Sequence, residues 1–445
     1  MTANRAIAQG TALLPEQEEK VAMRIENKKI IDANSQRSTE QASCDAFILD
    51  AALRQSLVTL RSLGCHGLRT VALETVDELL APAFASRWCQ HKVVCPAAIG
   101  TMEYLTYIEK ILTSTGARVL IPSSDGTVAL LREHRERIEQ QVHIAMAKEP
   151  ALAIAVNKER TLTIAKRLGM AVPHSMAVES VSAVESALRE IGLPAVVKPV
   201  ESWVENGSQR SRFASRLVVT VEEARRAVED LTCLGGTTLF QQFLSGERES
   251  LAFLYANGNI HARFAQWAKR TNPPLGGTNV LRESIAIPPD IGEQAERLVR
   301  EIELEGYSEV EFRRDAAGRP YLMEINPRLT ASLELAVRAG IDFPYLLYQW
   351  ACGEPIDVVQ KYQTGIWMRH LGGDVATTLA SLRQYGRPGV STPTKALFDF
   401  CTSFFVPMRY DYMDWKDPLP AFTAAIDFPR SLLHQKRKKG TNMHV

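Results

Sequence analysis

The sequence predicts a mixed chain, with a parallel α/β unit first, an α+β unit second and a further stretch at the end. Three observations carry this. Before residue 150, short apolar runs of strand length alternate with longer amphipathic runs of helix length, the pattern of a parallel sheet with crossover helices. Beyond it, helices and β-branched runs are punctuated by Gly and Pro turns. Finally, Met323–Arg328 closes an apolar strand with two oxygen-bearing side chains, Glu324 and Asn326, two residues apart.

The bulk numbers set the frame. A chain of 445 residues has room for two or three domains with full cores. Its 45% hydrophobic and 23% charged content is that of an ordinary globular protein. A formal net charge of +1 excludes a large field favouring nucleic acid. The 7 cysteines form no Cys-x-x-Cys pair, which reads as a reduced, cytosolic set. No apolar run approaches membrane-spanning length and no secretory h-region opens the chain, so a cytoplasmic protein without a membrane partner is expected.

Each element follows from its residues. Residues 1–42 are polar and mixed in charge, the composition of a mobile arm. Ala46–Leu49 is a first buried strand, Ala51–Leu63 an amphipathic helix stopped at Gly64, and Arg69–Leu73 a second strand. Met102–Thr115 reads as a helix and Val119–Pro122 as a strand. The loop Ser123–Gly126 then falls at a strand's carboxyl end, where open α/β sheets bind ligands. A helix opens at Val156–Arg160 and stops at Gly169. Helix Ser182–Ile191, strand Ala195–Pro199, strand Arg216–Val219, helix Val221–Leu234 and strand Thr238–Leu244 make a small α+β unit. Strands near 251–256, 260–266 and 281–287 follow, with Lys269–Gly277 as a loop, then a helix over 291–304. The last ninety residues hold a helix near 374–384, an aromatic stretch Phe398–Val406 expected to pack on the main body, and the basic run Lys436–Lys439.

The chemistry concentrates at one hairpin. Ser308–Asp315 and Tyr321–Asn326 are joined by the turn Ala316–Pro320. Alternation along a strand points Glu324 and Asn326 the same way, and hairpin pairing brings Glu311 beside Glu324. Two carboxylates and an amide oxygen suit one or two Mg²⁺ ions, with Mn²⁺ also compatible. Arg313 shares the face of Glu311, and Arg328 continues the alternation from Asn326. A guanidinium suits a phosphoryl group in transfer, so the candidates are Arg328, Arg282 and Arg313, in that order. Lys158 heads a helix and Lys198 ends an apolar strand, positions from which an ammonium can meet phosphate oxygens.

The order of these parts resembles the ATP-grasp superfamily, in its carbamoyl-phosphate-synthase-like and carboxylate–amine ligase branch. The resemblance runs over roughly 44–355 and rests on Glu311, Glu324-Ile325-Asn326-Pro327-Arg328, the two lysines and the stretch Gln241–Gly246. It implies a Rossmann-like pre-ATP-grasp domain over 43–150 and a two-lobed ATP-grasp domain over 151–355. The lid lobe would lie at about 162–240, with a C-terminal extension over 356–445. It further implies that ATP is cofactor, with Lys158 and Lys198 on its phosphates and Gly207 and Ser208 in a covering loop poorer in glycine than is usual there. Gln242 and Leu244 would read adenine through the backbone beside the Gln241 side chain. Glu249, with Glu247 as rival, would accept from the ribose. The expected reaction is magnesium-dependent activation of a small carboxylate as an acyl phosphate, then attack by an amine; a homodimer is compatible. Bicarbonate activation and a non-catalytic nucleotide-binding regulator are the alternatives.

Overall fold

The computed structural model describes residues 44–75, 81–206, 209–212, 214–233 and 235–428. The arm over 1–42, the pair Gly207 and Ser208, and the basic run Lys436–Lys439 lie outside the described residues. From Cys44 onward the chain forms a single compact unit built on three main sheets.

The first sheet is five-stranded and parallel, in the order β3-β2-β1-β4-β5: β1 Ala46–Ile48, β2 Thr70–Thr75, β3 Cys89–Cys95, β4 Val119–Ile121 and β5 His143–Ile144. Its central strands are short and fully buried because helices cover them. These are α1 Arg54–Cys65 and α2 Met102–Thr115. Thr101 caps α2 by accepting from the Tyr104 N–H, and Gly116 ends it in the left-handed region at φ 60°. The sequence gives no warning of β3, whose Gln90, His91 and Lys92 are exposed.

At the carboxyl end of β4 the expected loop is instead a helix start. Ser124 caps α3, Asp125–Glu133, and the buried Asp50 accepts from Ser123 N–H (3.0 Å), Ser124 Oγ (3.0 Å) and Thr127 Oγ1 (2.8 Å). That network fixes Asp125 at the head of α3. Helices α4, Ala151–Val156, and α5, Lys158–Arg167, lead onward.

The second sheet is antiparallel, β10-β7-β11-β6: β6 Ser175–Val178, β7 Ala195–Pro199, β10 Arg216–Val218 and β11 Thr238–Gln242. Helices α6, Val184–Ile191, and α7, Val221–Thr232, pack on it around Val184, Val197, Val228 and Phe240. A separate hairpin, β8 Trp203–Asn206 with β9 Gln209–Arg212, follows β7 and lies against α3.

The third sheet has seven strands in the order β16-β15-β12-β13-β14-β17-β18. They are β12 Arg248–Ala256, β13 Asn259–Asn272, β14 Thr278–Ile285, β15 Gly306–Arg314, β16 Pro320–Asn326, β17 Trp367–Arg369 and β18 Arg409–Tyr410. Strand β13 runs through Lys269–Asn272, so the loop expected from Lys269 is confined to 273–277. Helix α8, Pro289–Glu301, covers one face; α9, Leu333–Ala339, and α10, Phe343–Cys352, follow the hairpin. The stretch read as an extension therefore adds two strands to this sheet. It also carries α11, Leu371–Arg383, and α12, Pro393–Thr402. The aromatic stretch expected to pack on the body does so in part: Phe400 and Phe404 lie over the buried Arg369 guanidinium at 4.5 and 4.2 Å, while Phe398, Phe405 and Val406 are exposed.

Candidate functional site

The β15–β16 hairpin turns at Asp315, whose Oδ1 accepts from Ala317 N–H and Arg319 N–H, both at 2.9 Å. Its register sets Glu311 directly opposite Glu324 and Glu309 opposite Asn326, with a bulge between Glu311 and Phe312. Directly opposed residues share a face of the sheet. Asn326 Nδ2 donates to Glu311 Oε1 at 3.0 Å, so the three polar side chains predicted to converge do so.

Four cations close around them. Lys158 Nζ lies 3.7 Å from Glu324 Oε2 and donates to Ser202 Oγ at 3.0 Å. Lys158 is held there because Asn157 caps α5, accepting from Arg160 N–H at 3.0 Å. Lys198 reaches across from β7, and its buried Nζ donates to the Met323 carbonyl at 3.3 Å. Arg248, from β12 next to β15, donates Nη2 to Glu311 Oε2 and Nη1 to the Gly277 carbonyl. Arg313 donates Nε to the Gly246 carbonyl (3.3 Å) and Nη1 to the Leu275 carbonyl (2.8 Å). Arg248 and Arg313 thereby tie the 273–277 loop to the carboxylate face.

The electrostatics are asymmetric. Burial pushes Glu311 up to about 7; Arg248 opposes this, while Glu324 and Glu309 add to it. Burial also pushes Glu324 up, but Lys158, Lys198 and Arg248 together outweigh it, and its carboxyl sits below the ordinary range. Lys198 is pushed down to about 8 by burial, with Glu324 pulling the other way. Burial and the Arg248 charge bring Arg313 down to about 10.

A cleft adjoins this group, walled by Asp125, Arg132, Lys158, Trp203, Asn326 and Arg328. Arg328 Nε lies 2.5 Å from Asp125 Oδ1, joining the third sheet's hairpin to the first sheet's α3. The Trp203 indole lies over Gly126: a Cβ at 126 would stand 2.7 Å from the ring, closer than real contacts allow. Glycine is required there by this close approach rather than by its backbone angle.

Two expected residues are not brought to the group. Arg282 is fully buried and gives both Nη atoms to Asp411, at 2.6 and 3.0 Å. Its strand, β14, is three strand spacings from β15, on the order of 14 Å, a separation that sequence order conceals. Glu249 pairs with Arg314 Nε at 2.8 Å, on the sheet face shared with Leu251 and Phe253 and opposite to Glu311. The stretch read as a hinge, Gln241–Gly246, leads from β11 to β12. Gln242 N–H donates to the His174 carbonyl at 2.8 Å, Leu244 is buried, and Gly246 N–H donates to the Arg314 carbonyl at 3.0 Å. Gln241 is buried with Nε2 and Oε1 both lacking a partner among the described residues. Arg248 was not foreseen; only the two-residue alternation back from Ser250, opposite Glu311, points to it. Among the described residues, no group of three or more His, Cys, Asp or Glu is disposed to hold a metal ion. The oxygen set at the hairpin is thus two carboxylates and one amide.

Comparisons with known proteins point one way. A family model described as "ATP-grasp in the biosynthetic pathway with Ter operon" matches residues 237–373. The carbamoyl phosphate synthase large chain of Thermus thermophilus is 25% identical over 258 residues, 53% of this chain and 24% of that one. A D-alanine–D-alanine ligase of Ectopseudomonas mendocina is 24% identical over 209 residues, 44% of this chain and 64% of the ligase. The chain thus spans between about a quarter and just under two thirds of these relatives' lengths. Among solved structures, biotin carboxylase from Campylobacter jejuni in a β-γ-ATP complex superposes with a TM-score of 0.58 at 16% identity. That match covers 73% of this chain and 74% of the carboxylase, and it shows a common fold.

Proposed function

The chain belongs to the ATP-grasp superfamily, and from that premise we propose that it is a magnesium-dependent, ADP-forming ligase joining a small carboxylate to an amine. The observation that carries this reading is the register of the hairpin: Glu311 opposite Glu324, Asn326 bonded to Glu311, and two lysines converging on the same face. The donor set fits a hard cation, which keeps phosphate oxygens and water among its ligands. The orphaned buried amide of Gln241 fits a purine edge at the hinge.

Glu311, Glu324 and Asn326 would hold one or two Mg²⁺ ions, which would neutralise charge on the β- and γ-phosphate oxygens. Lys158 and Lys198 bring two ammonium groups to the phosphates from opposite sides, one from a helix start and one from the lid sheet. The Gln242 carbonyl and Leu244 N–H read adenine, and Gly207 and Ser208 belong to the loop that covers the phosphates. Arg328 faces the cleft where the carboxylate binds and stabilises charge on the group in transfer. Arg313 acts through Gly246 and Leu275, orienting the hinge and the 273–277 loop. The hairpin β8–β9 and Trp203 exclude water, which would otherwise hydrolyse the acyl phosphate before the amine attacks. Residues 43–150 form the pre-grasp unit of this reading and 151–355 its grasp unit. The ligase name of one relative favours the amine acceptor.

The test is calorimetric titration with MgATP, followed by ADP release with a panel of carboxylates, each with and without amines. ATP binding that needs magnesium, and ADP release that needs both a carboxylate and an amine, are expected. Glu324→Ala should lower turnover roughly 10²–10³-fold. Absence of heat with MgATP overturns the reading, whereas release that depends on bicarbonate alone transfers it to the carboxylase class.

A further inference from the structure

The turn over 384–391 joins α11 to α12 and touches parts of the chain that lie far from it in sequence. Its Arg387 donates Nη2 to the Leu217 carbonyl at 3.0 Å and to Glu223 Oε2 at 2.7 Å. Both partners belong to the second sheet and its helices: Leu217 to β10 and Glu223 to α7. The receiving carboxylate is set in advance. Glu223 Oε2 also accepts from Val219 N–H at 2.9 Å, and Thr220 caps the start of α7 by accepting from Glu223 N–H at 3.1 Å. Two residues on, Gly389 seats the turn. A Cβ there would stand 3.1 Å from the Leu275 side chain and 3.2 Å from Phe243, and its φ of 76° is one that glycine adopts freely. Phe243 lies in the stretch that leads from β11 to β12, and Leu275 in the 273–277 loop that Arg248 and Arg313 tie to the carboxylate face. The turn has a firm base, because α11 is pinned to the third sheet. Asp374 takes Arg270 and Arg369, each at 2.6 Å, and Thr377 Oγ1 donates to the Thr271 carbonyl at 2.9 Å.

These contacts bear on Lys198. Strand β10 is the edge strand of the second sheet and pairs with β7, where Leu217 stands opposite Val196, two residues before Lys198. Lys198 Nζ in turn reaches the Met323 carbonyl at 3.3 Å. Arg387 thus grips the sheet by its edge, and the sheet delivers the ammonium to the hairpin. Stability does not account for the grip: the Arg387 and Glu223 side chains are 30% and 37% exposed, and ion pairs as wet as this contribute little to folding. We propose that Arg387 is a positioning residue, which through Leu217 and Glu223 straps the second sheet to the turn that α11 anchors and so keeps Lys198 at the hairpin that carries Glu324. The proposal rests on the reading of Lys198 as a group that meets nucleotide phosphates. On it, the stretch after residue 355 supplies the reaction with a side chain that never touches the substrate.

Acetylation of Lys198 in the full chain by an amine-reactive acetyl ester, read by mass spectrometry, tests this. The side chain is buried, so it labels only when the second sheet lifts. Arg387→Ala should speed the labelling about tenfold, and Arg387→Lys, which keeps a cation at the same place, should restore most of the parent's protection. Glu223→Gln should speed it as well, and Arg387→Ala should then add less than it does in the parent, because the two changes remove one shared contact. An unchanged thermal midpoint shows that the variants are folded. Labelling as slow in Arg387→Ala as in the parent overturns the proposal. So does an acceleration that Arg387→Lys leaves in place, or an Arg387→Ala effect of the same size with and without Glu223→Gln. MgATP should slow the parent's labelling; its failure to do so counts against the nucleotide reading, while the comparison of variants without nucleotide still decides the strap.

Discussion

Lys198 shows how one side chain can serve binding at the expense of folding. It is buried, and its ammonium titrates near 8 rather than 10.5 because burial disfavours the charge. The folded-state value is depressed, so the unfavourable contribution is fully present below pH 8 and is relieved as pH rises from 8 toward 10.5. Lys198→Met should therefore raise stability at neutral pH, by on the order of 1–3 kcal/mol, while weakening MgATP binding at least tenfold. Thermal unfolding and calorimetry read the two effects separately; a variant that loses both stability and affinity would refute this account. At this scale much of the site was legible. Glu324, Asn326 and Glu311 follow from a two-residue period and one turn, both local in sequence. Arg248 and Arg282 do not, because their placement depends on which strands lie beside β15, and that order is set by long-range pairing.

At the scale of elements, the weld between the first and third sheets is a buried cluster. Asp411 receives Arg282 and Arg54, the latter at 2.7 Å, and both arginines are buried. Removing the shared carboxylate leaves two guanidinium groups without it, so Asp411→Ala should cost about 3–5 kcal/mol, read as a shift in the denaturation midpoint. Burial, with the charges of Arg54 and Arg282, also pushes the neighbouring His370 down to about 3. Its folded-state value is depressed, so its contribution is present above pH 6.5 and lost as pH falls from 6.5 toward 3. Asp411, itself held below the ordinary range against its burial by Arg282 and Arg54, adds to the loss below its unfolded value of 3.8. Denaturation at pH 7 and pH 5 should show a drop in the parent protein that is smaller in His370→Gln. Helix α2 was legible to both ends, Met102 and Thr115, where the structure places a Thr101 cap and the left-handed Gly116. Strand β3 and helix α12 were not, since both expose residues that alternation and amphipathicity assign to the wrong side.

The whole molecule assembles its cleft from three sheets. Asp125 comes with the parallel sheet, Trp203 with the lid hairpin, and Arg328 with the large sheet. The alternation of strands and helices made the first two units legible, but the junctions between units were not, because a contact such as Arg328 with Asp125 spans 203 residues. The same holds at the chain's far end, where composition alone suggested an appendage. Strands β17 and β18 are instead the terminal members of the seven-stranded sheet, paired onto β14. A chain stopped after residue 355 would leave β14 with a row of unsatisfied amides and carbonyls along its rim. Such a bare rim templates pairing between molecules. Light scattering should show that shortened protein forming large aggregates where the full chain does not, so the smallest unit able to work alone reaches past the residues that carry the chemistry.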